Sequence, residues 1–177
     1  CAGRTRSIIG AQTLIDFGIK NKVKALENGT QGWFLSNLNL EHHKNNFLDK
    51  IPNELEFKNL QNQILKSIKK NDIDLIDIQK TQELILNEKQ STFIFDVTNT
   101  KINKNIDPLI RHVPGGQLVQ ATDKYIGVWR STLILVDDGD LIRAGTTAIW
   151  LKKMGFNVFI LKDGLSQTSK LKFNTKI

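Results

Sequence analysis

The order of apolar and polar positions divides the chain into a sparse first half and a regular second half. Ser7 to Phe17 carries Ile8, Ile9, Ala11, Leu14 and Ile15 at helical spacing, and Gly18 follows as a C-cap. Val23 to Leu26 reads as a short strand ended by the turn Asn28-Gly29. A second turn, Thr30-Gln31-Gly32, leads into Trp33 and Phe34. This loop, helix, strand and turn offer too few elements to bury a core alone. Asn37 to Asn53 is polar, contains Pro52, and reads as a linker. Glu54 to Lys69 then places Phe57, Leu60, Ile64, Leu65 and Ile68 on one helical face, which suits a core or a partner domain better than a membrane. Ile73 to Ile76 reads as a brief strand, and Asp77 as the cap of a short helix carrying Leu84 and Ile85.

From Ser91 the pattern becomes regular. Thr92 to Val97, Thr132 to Val136 and Asn157 to Leu161 are short apolar runs without polar alternation, the signature of strands buried on both faces. A helix from Arg143 to Met154, stopped by Gly155, separates the last two, and Gln117 to Tyr125 reads as another after the turn Pro114-Gly115-Gly116. Strands alternating with helices predict an α/β fold, a parallel sheet with helices on both faces.

Composition adjusts this picture in a few places. Of 177 residues, 40% are hydrophobic, enough for a packed core. The net charge of +7 does not mark a nucleic-acid surface. Charge is nearly balanced between Ser91 and Gly164, and the excess lies in scattered lysines such as Lys20, Lys22, Lys69 and Lys172, without interleaved aromatics. One cysteine, Cys1, excludes an internal disulfide framework and a Cys-rich zinc site, and His42, His43 and His112 do not suggest a histidine-led metal site. No metal and no cofactor are expected. No run of about 18 apolar residues predicts a membrane span, and no charged segment followed by an apolar one argues for secretion, so the expected location is cytoplasmic. A chain opening on Cys rather than Met is expected to have lost something upstream.

Two loops should lie beyond the carboxyl ends of strands, where ligands bind in open α/β sheets. One is Cys1-Ala2-Gly3-Arg4-Thr5-Arg6-Ser7, and the other is Asp137-Asp138-Gly139-Asp140-Leu141-Ile142-Arg143. Each leads through an Arg into a helix, then a Gly, a short strand and another Gly, an internal repeat of one supersecondary unit.

These residues resemble the rhodanese-like sulfurtransferases. Cys1 with Arg6, followed by a helix, a strand and Asn28-Gly29-Thr30-Gln31-Gly32-Trp33, looks like the carboxyl end of one such domain, beginning at its active-site loop. Ser91 to Gly164 resembles a second domain, through Asp96 at a strand end, His112-Val113-Pro114-Gly115 and the closing Leu161-Lys162-Asp163-Gly164. The resemblance implies four stretches: 1–36 the end of a rhodanese domain, 37–72 a linker with an amphipathic helix, 73–166 a second domain, and 167–177 a tail. It implies sulfur transfer through a Cys1 persulfide, with Gly3, Arg4, Thr5, Arg6 and Ser7 as the substrate-binding loop.

The chemistry suits those residue types. A thiolate at a helix start meets unpaired backbone N–H groups and the positive helix end, which lower its pKa and steady a persulfide. Arg4 and Arg6 add positive charge for an anionic donor such as thiosulfate. Gly3 permits tight curvature, and Thr5 and Ser7 either donate hydroxyls or cap the helix.

The second loop departs from the pattern. Asp138 stands at the nucleophile position relative to Arg143, carboxylates form no persulfide, and Asp137, Asp138 and Asp140 repel an anionic donor. A degenerate, non-catalytic second site is expected, its acids capping the helix rather than holding a metal. Asp96 is expected to fix a loop by accepting hydrogen bonds. His112 reads as a turn residue bonded to a carboxylate or a backbone carbonyl. Trp33, Trp129 and Trp150 are read as packing residues.

The expected partners are therefore a small-molecule sulfur donor and acceptor, and other rhodanese domains packed alongside, with no nucleic acid and no membrane. The alternatives are a non-catalytic binding or scaffolding module and, ranked lower, a phosphatase, whose larger substrate suits a longer Cys-to-Arg loop. The 177 residues alone are expected to be weakly active or inactive, because no sheet stands before Cys1.

Overall fold

The computed structural model describes residues 5–44, 53–100 and 107–173. It separates into two compact units, Cys1–Phe57 and Lys58–Ile177.

Among the described residues of the first unit, α1 (Thr5–Asp16) and α2 (Gly29–Leu35) are the only regular elements besides the start of the helix that leads onward. Two expectations fail here. Val23 to Leu26 is not a strand, and the glycine turn at 30–32 lies inside α2. The physical reason for the first is that a strand exists through its ladder, and no described segment offers 23–26 a partner. For the second, Asn28 and Gly29 absorb the reversal at φ 51° and 57°, which frees 30–35 to coil.

The second unit is built on five parallel strands in the order β1-β5-β4-β2-β3. They are β1 (Asp74–Ile76), β2 (Thr92–Asp96), β3 (Ile110–His112), β4 (Thr132–Val136) and β5 (Asn157–Leu161). Central β4 is buried at every position, as its unbroken Thr-Leu-Ile-Leu-Val run requires. On one sheet face Ile76, Ile94, Ile110, Ile134, Val136 and Leu161 pack against α4 (Ile78–Leu86) and the chain around Leu165 and Phe173. Strand alternation turns Phe95, Leu133, Leu135 and Ile160 to the other face, and all four are inaccessible. Helices α3 (Glu54–Lys70), α5 (Gly115–Gln120), α6 (Thr122–Tyr125) and α7 (Ile142–Lys153) complete the unit, which ends in a 3-10 helix, Gly164–Lys170. The α/β expectation holds.

Asp77 caps α4 as expected, its carboxylate accepting from the Lys80 N–H at 2.8 Å. Of the apolar face of α3, only Ile64 and Ile68 are buried. The helix expected over 117–125 starts two residues earlier and is broken at Ala121, whose non-helical φ and ψ of −139° and 52° separate α5 from α6. Pro114 opens α5, where a missing N–H costs nothing. His112 closes β3 rather than sitting in a turn, because Asp96 and His112 are paired across the ladder. Nor are the tryptophans uniformly packed. Trp129 is 70% exposed and meets the edge of Phe156, whereas Trp150 is half-buried under the Lys153 ammonium.

Candidate functional site

The strand order locates the crevice. From β4 the chain crosses to β5 on one side, whereas from β2 it crosses to β3 on the other, so the loops after β2 and β4 diverge. Asp96 ends β2 and Asp137 follows β4, which sets two buried carboxylates at the mouth of this switch point.

Asp96 fixes the loop after β2. Its Oδ1 accepts from the Thr98 N–H at 3.0 Å and from the Thr98 hydroxyl at 2.7 Å. The Thr98 carbonyl lies 3.1 Å from His112 Nε2, so the ends of β2 and β3 are tied through one threonine. The carbonyl partner foreseen for His112 is therefore present. Thr98 was not singled out in the sequence, although an Asp followed two residues later by Thr is the spacing of such a turn. Gly115 lies against Thr147 of α7, where the Cβ of any other residue would strike the Thr147 hydroxyl.

The loop between β4 and α7 is organised by its own acids. Asp137 is inaccessible, and its two oxygens accept from the Gly139 and Ala144 N–H groups, each at 3.0 Å. Asp140 accepts from the Ile142 N–H at 2.8 Å. Burial pushes the Asp137 carboxyl above its ordinary range, against the pull of the Ala144 and Gly139 amides; the nearby Asp140 and Asp138 add to the rise. Arg143 Nη1 lies 3.3 Å from Asp138 Oδ2 and 3.8 Å from Asp140 Oδ2. The Asp138 and Arg143 side chains are 42% and 39% exposed, so the pair shapes the loop more than it stabilises the fold.

Oxygens of Asp137, Asp138 and Asp140 lie within 4.8 Å of one another. These acids are already committed to the Gly139, Ile142 and Ala144 amides and to Arg143. Those amides and Arg143 thus meet carboxylates of the loop itself.

The other loop differs in kind. Cys1, Gly3 and Arg4 lie outside the described residues. Thr5, Arg6 and Ser7 form the first turn of α1, with Thr5 and Arg6 exposed and Ser7 half-buried. No acidic residue stands in that first turn. Among the described residues, no helix is long and apolar enough to cross a membrane.

No protein-family model and no curated protein sequence matches the chain. Among solved structures, a Bacillus halodurans protein shares 21% identity over 62% of this chain and 80% of its own, with a TM-score of 0.47. A rhodanese homolog from Thermus thermophilus shares 21% identity over 53% of this chain and 99% of its own, with a TM-score of 0.39. A thiosulfate sulfurtransferase from Pseudomonas aeruginosa shares 37% identity over 98% of this chain, with a TM-score of 0.84. The chain belongs to the rhodanese-like family. It spans 33% of the length of the Pseudomonas protein, and the match runs across both units of this rhodanese-like chain.

Proposed function

We propose that this rhodanese-like chain contributes the persulfide-forming loop of a sulfurtransferase, with Cys1 as nucleophile and Gly3, Arg4, Thr5, Arg6 and Ser7 as the anion-binding loop. The observation that carries the reading is the 37% identity to a thiosulfate sulfurtransferase over 98% of the chain. The Cys1 thiolate attacks the outer sulfur of thiosulfate. As the new S–S bond forms, the old one breaks and sulfite leaves with the electron pair. A thiophilic acceptor then attacks the outer sulfur of the persulfide and returns the thiolate. The positive end of α1 and the guanidiniums of Arg4 and Arg6 stabilise the anionic donor and the persulfide. The reaction needs no metal or cofactor, and the reducing cytoplasm keeps Cys1 a free thiol.

In the same reading, residues 1–36 close one rhodanese domain and 73–166 form a second that does not catalyse. Asp138 holds the nucleophile position and pairs with Arg143, which supports a structural or regulatory role for that domain.

The test is mass spectrometry of the intact source polypeptide after exposure to thiosulfate. A mass gain of one sulfur at Cys1 is expected, removed by cyanide and absent in Cys1→Ser. An unmodified Cys1 would sink the sulfurtransferase reading and favour a scaffolding module. The 177 residues by themselves are expected to turn over thiosulfate and cyanide poorly; robust turnover abolished by Cys1→Ser would show that they need nothing more.

A further inference from the structure

Helix α4 has two sides with different fates. On the inner side Ile78, Leu84 and Ile85 pack on the core, and Thr81 is buried. The outer side borders a groove of about 570 Å³ that runs from Ile78 to Leu86, with the chain at Lys170 and Lys172 as its other wall. Eight residues separate Ile78 from Leu86, a helical rise of about 12 Å. Both offer apolar surface to the groove, and Leu86 is 44% exposed. Small molecules are held in concave spaces of about 300–1,000 Å³, so this groove has a suitable size.

The wall opposite α4 is fixed in place. The Gln82 carboxamide accepts from the Lys172 N–H and donates to the Lys172 carbonyl, each at 2.7 Å. Leu171 and Phe173, on either side, pack inward on the core. Both backbone groups of Lys172 are thereby satisfied, so an extended peptide finds no ladder to join there. The Lys172 side chain stands exposed, without an acidic partner among the described residues. Lys170 Nζ donates to the neutral Gln167 Oε1 at 2.7 Å. On the α4 side, Glu83 is already paired with Lys80 at 2.8 Å. Apolar surface therefore adjoins two cations that no carboxylate offsets. The groove between α3 and β1 differs, because Asp72 and Asp74 border it beside Lys69.

We infer that the groove between α4 and the Lys170–Lys172 chain is a binding site for a small amphiphilic monoanion, an acyl or aryl chain ending in a carboxylate. The chain would cover Ile78 and Leu86, and the carboxylate would meet the Lys172 and Lys170 ammoniums. A neutral ligand would leave both cations without a counter-charge, and a polyanion would set further negative charge against Glu83. None of these residues belongs to the Cys1 loop or to the Asp137–Arg143 loop, so the site stands whether or not Cys1 carries sulfur.

Octanoate and octanol share a chain and differ in charge, and titrating each into the chain under amide NMR tests this. Octanoate should shift the Lys172 backbone amide, the Gln82 side-chain amide and the Leu86 amide together, with a dissociation constant on the order of 1 mM or tighter. Octanol should bind at least ~5-fold more weakly. Lys170→Gln combined with Lys172→Gln should weaken octanoate about 5-fold and leave octanol unchanged. Leu86→Asn should weaken both, whereas Lys124→Gln, in α6, should change neither. Equal affinity for the acid and the alcohol would overturn the inference. So would shifts spread over lysines elsewhere, the mark of unspecific surfactant binding. Unmoved groove amides at about 10 mM octanoate would overturn it too, and would leave the groove to a protein partner.

Discussion

Gly164 is where a single methyl group should do the most damage to the loop at the mouth of the sheet. Its φ is +59°, a conformation that costs an L-residue about 1–2 kcal/mol. A Cβ there would collide with the Asp137 carbonyl oxygen and lie 2.6 Å from the Gly139 nitrogen. Both are backbone atoms, held by the Asp137 carboxylate on Gly139 and by the Leu165 N–H on the Asp137 carbonyl at 2.7 Å. Neither can swing aside as a side chain could, and such overpacking adds about 1–3 kcal/mol. Gly164→Ala should therefore cost about 2–5 kcal/mol, a fall in Tm of roughly 8–20 °C for a unit of this size. Gly155→Ala is the control. Gly155 has φ +90° and no atom within 4 Å of the added methyl, so it isolates the backbone cost of about 1–2 kcal/mol, roughly 4–8 °C. Thermal unfolding of both variants by circular dichroism reads the difference. Equal losses would refute the claim that the closing segment is wedged against the Asp137 loop.

Two further outcomes follow from the same unit. Asp77→Ala removes the cap of α4 and should cost about 1 kcal/mol in urea unfolding, with Asp77→Asn nearly neutral; equal losses would mean that the charge, not the cap, matters. Asp137 should make stability decline with rising pH between the ordinary value of 3.8 and its raised value, because in that window the folded state holds a proton that the unfolded state has released. The unfolding free energy of the wild type minus that of Asp137→Asn, followed across that window, should fall as pH rises; a rise would contradict the burial argument.

Much of the second unit was legible because its signals are local. Unbroken apolar runs mark strands covered on both faces, and Asp77 before an apolar helix marks a cap. Asp96 and the acids near Arg143 were identifiable as groups that fix loops and helix ends, because a short carboxylate beside backbone N–H groups has few other uses. The small strand β3 escaped notice, since three residues carry no periodicity. Thr98 escaped because its link to His112 spans 14 positions and depends on β2 and β3 being neighbours.

Residues 23–26 mark the boundary between the two kinds of information. By itself the sequence determined that this segment has strand character, that a helix precedes it, and that two arginines and no acid lie between Cys1 and Ser7. Each of these follows from side-chain type and spacing within one stretch of chain. Only the tertiary structure decided that this segment remains a coil while the apolar run Asn157–Leu161 is a strand. A strand is made by the neighbour that completes its ladder, and that neighbour is a property of the assembled sheet.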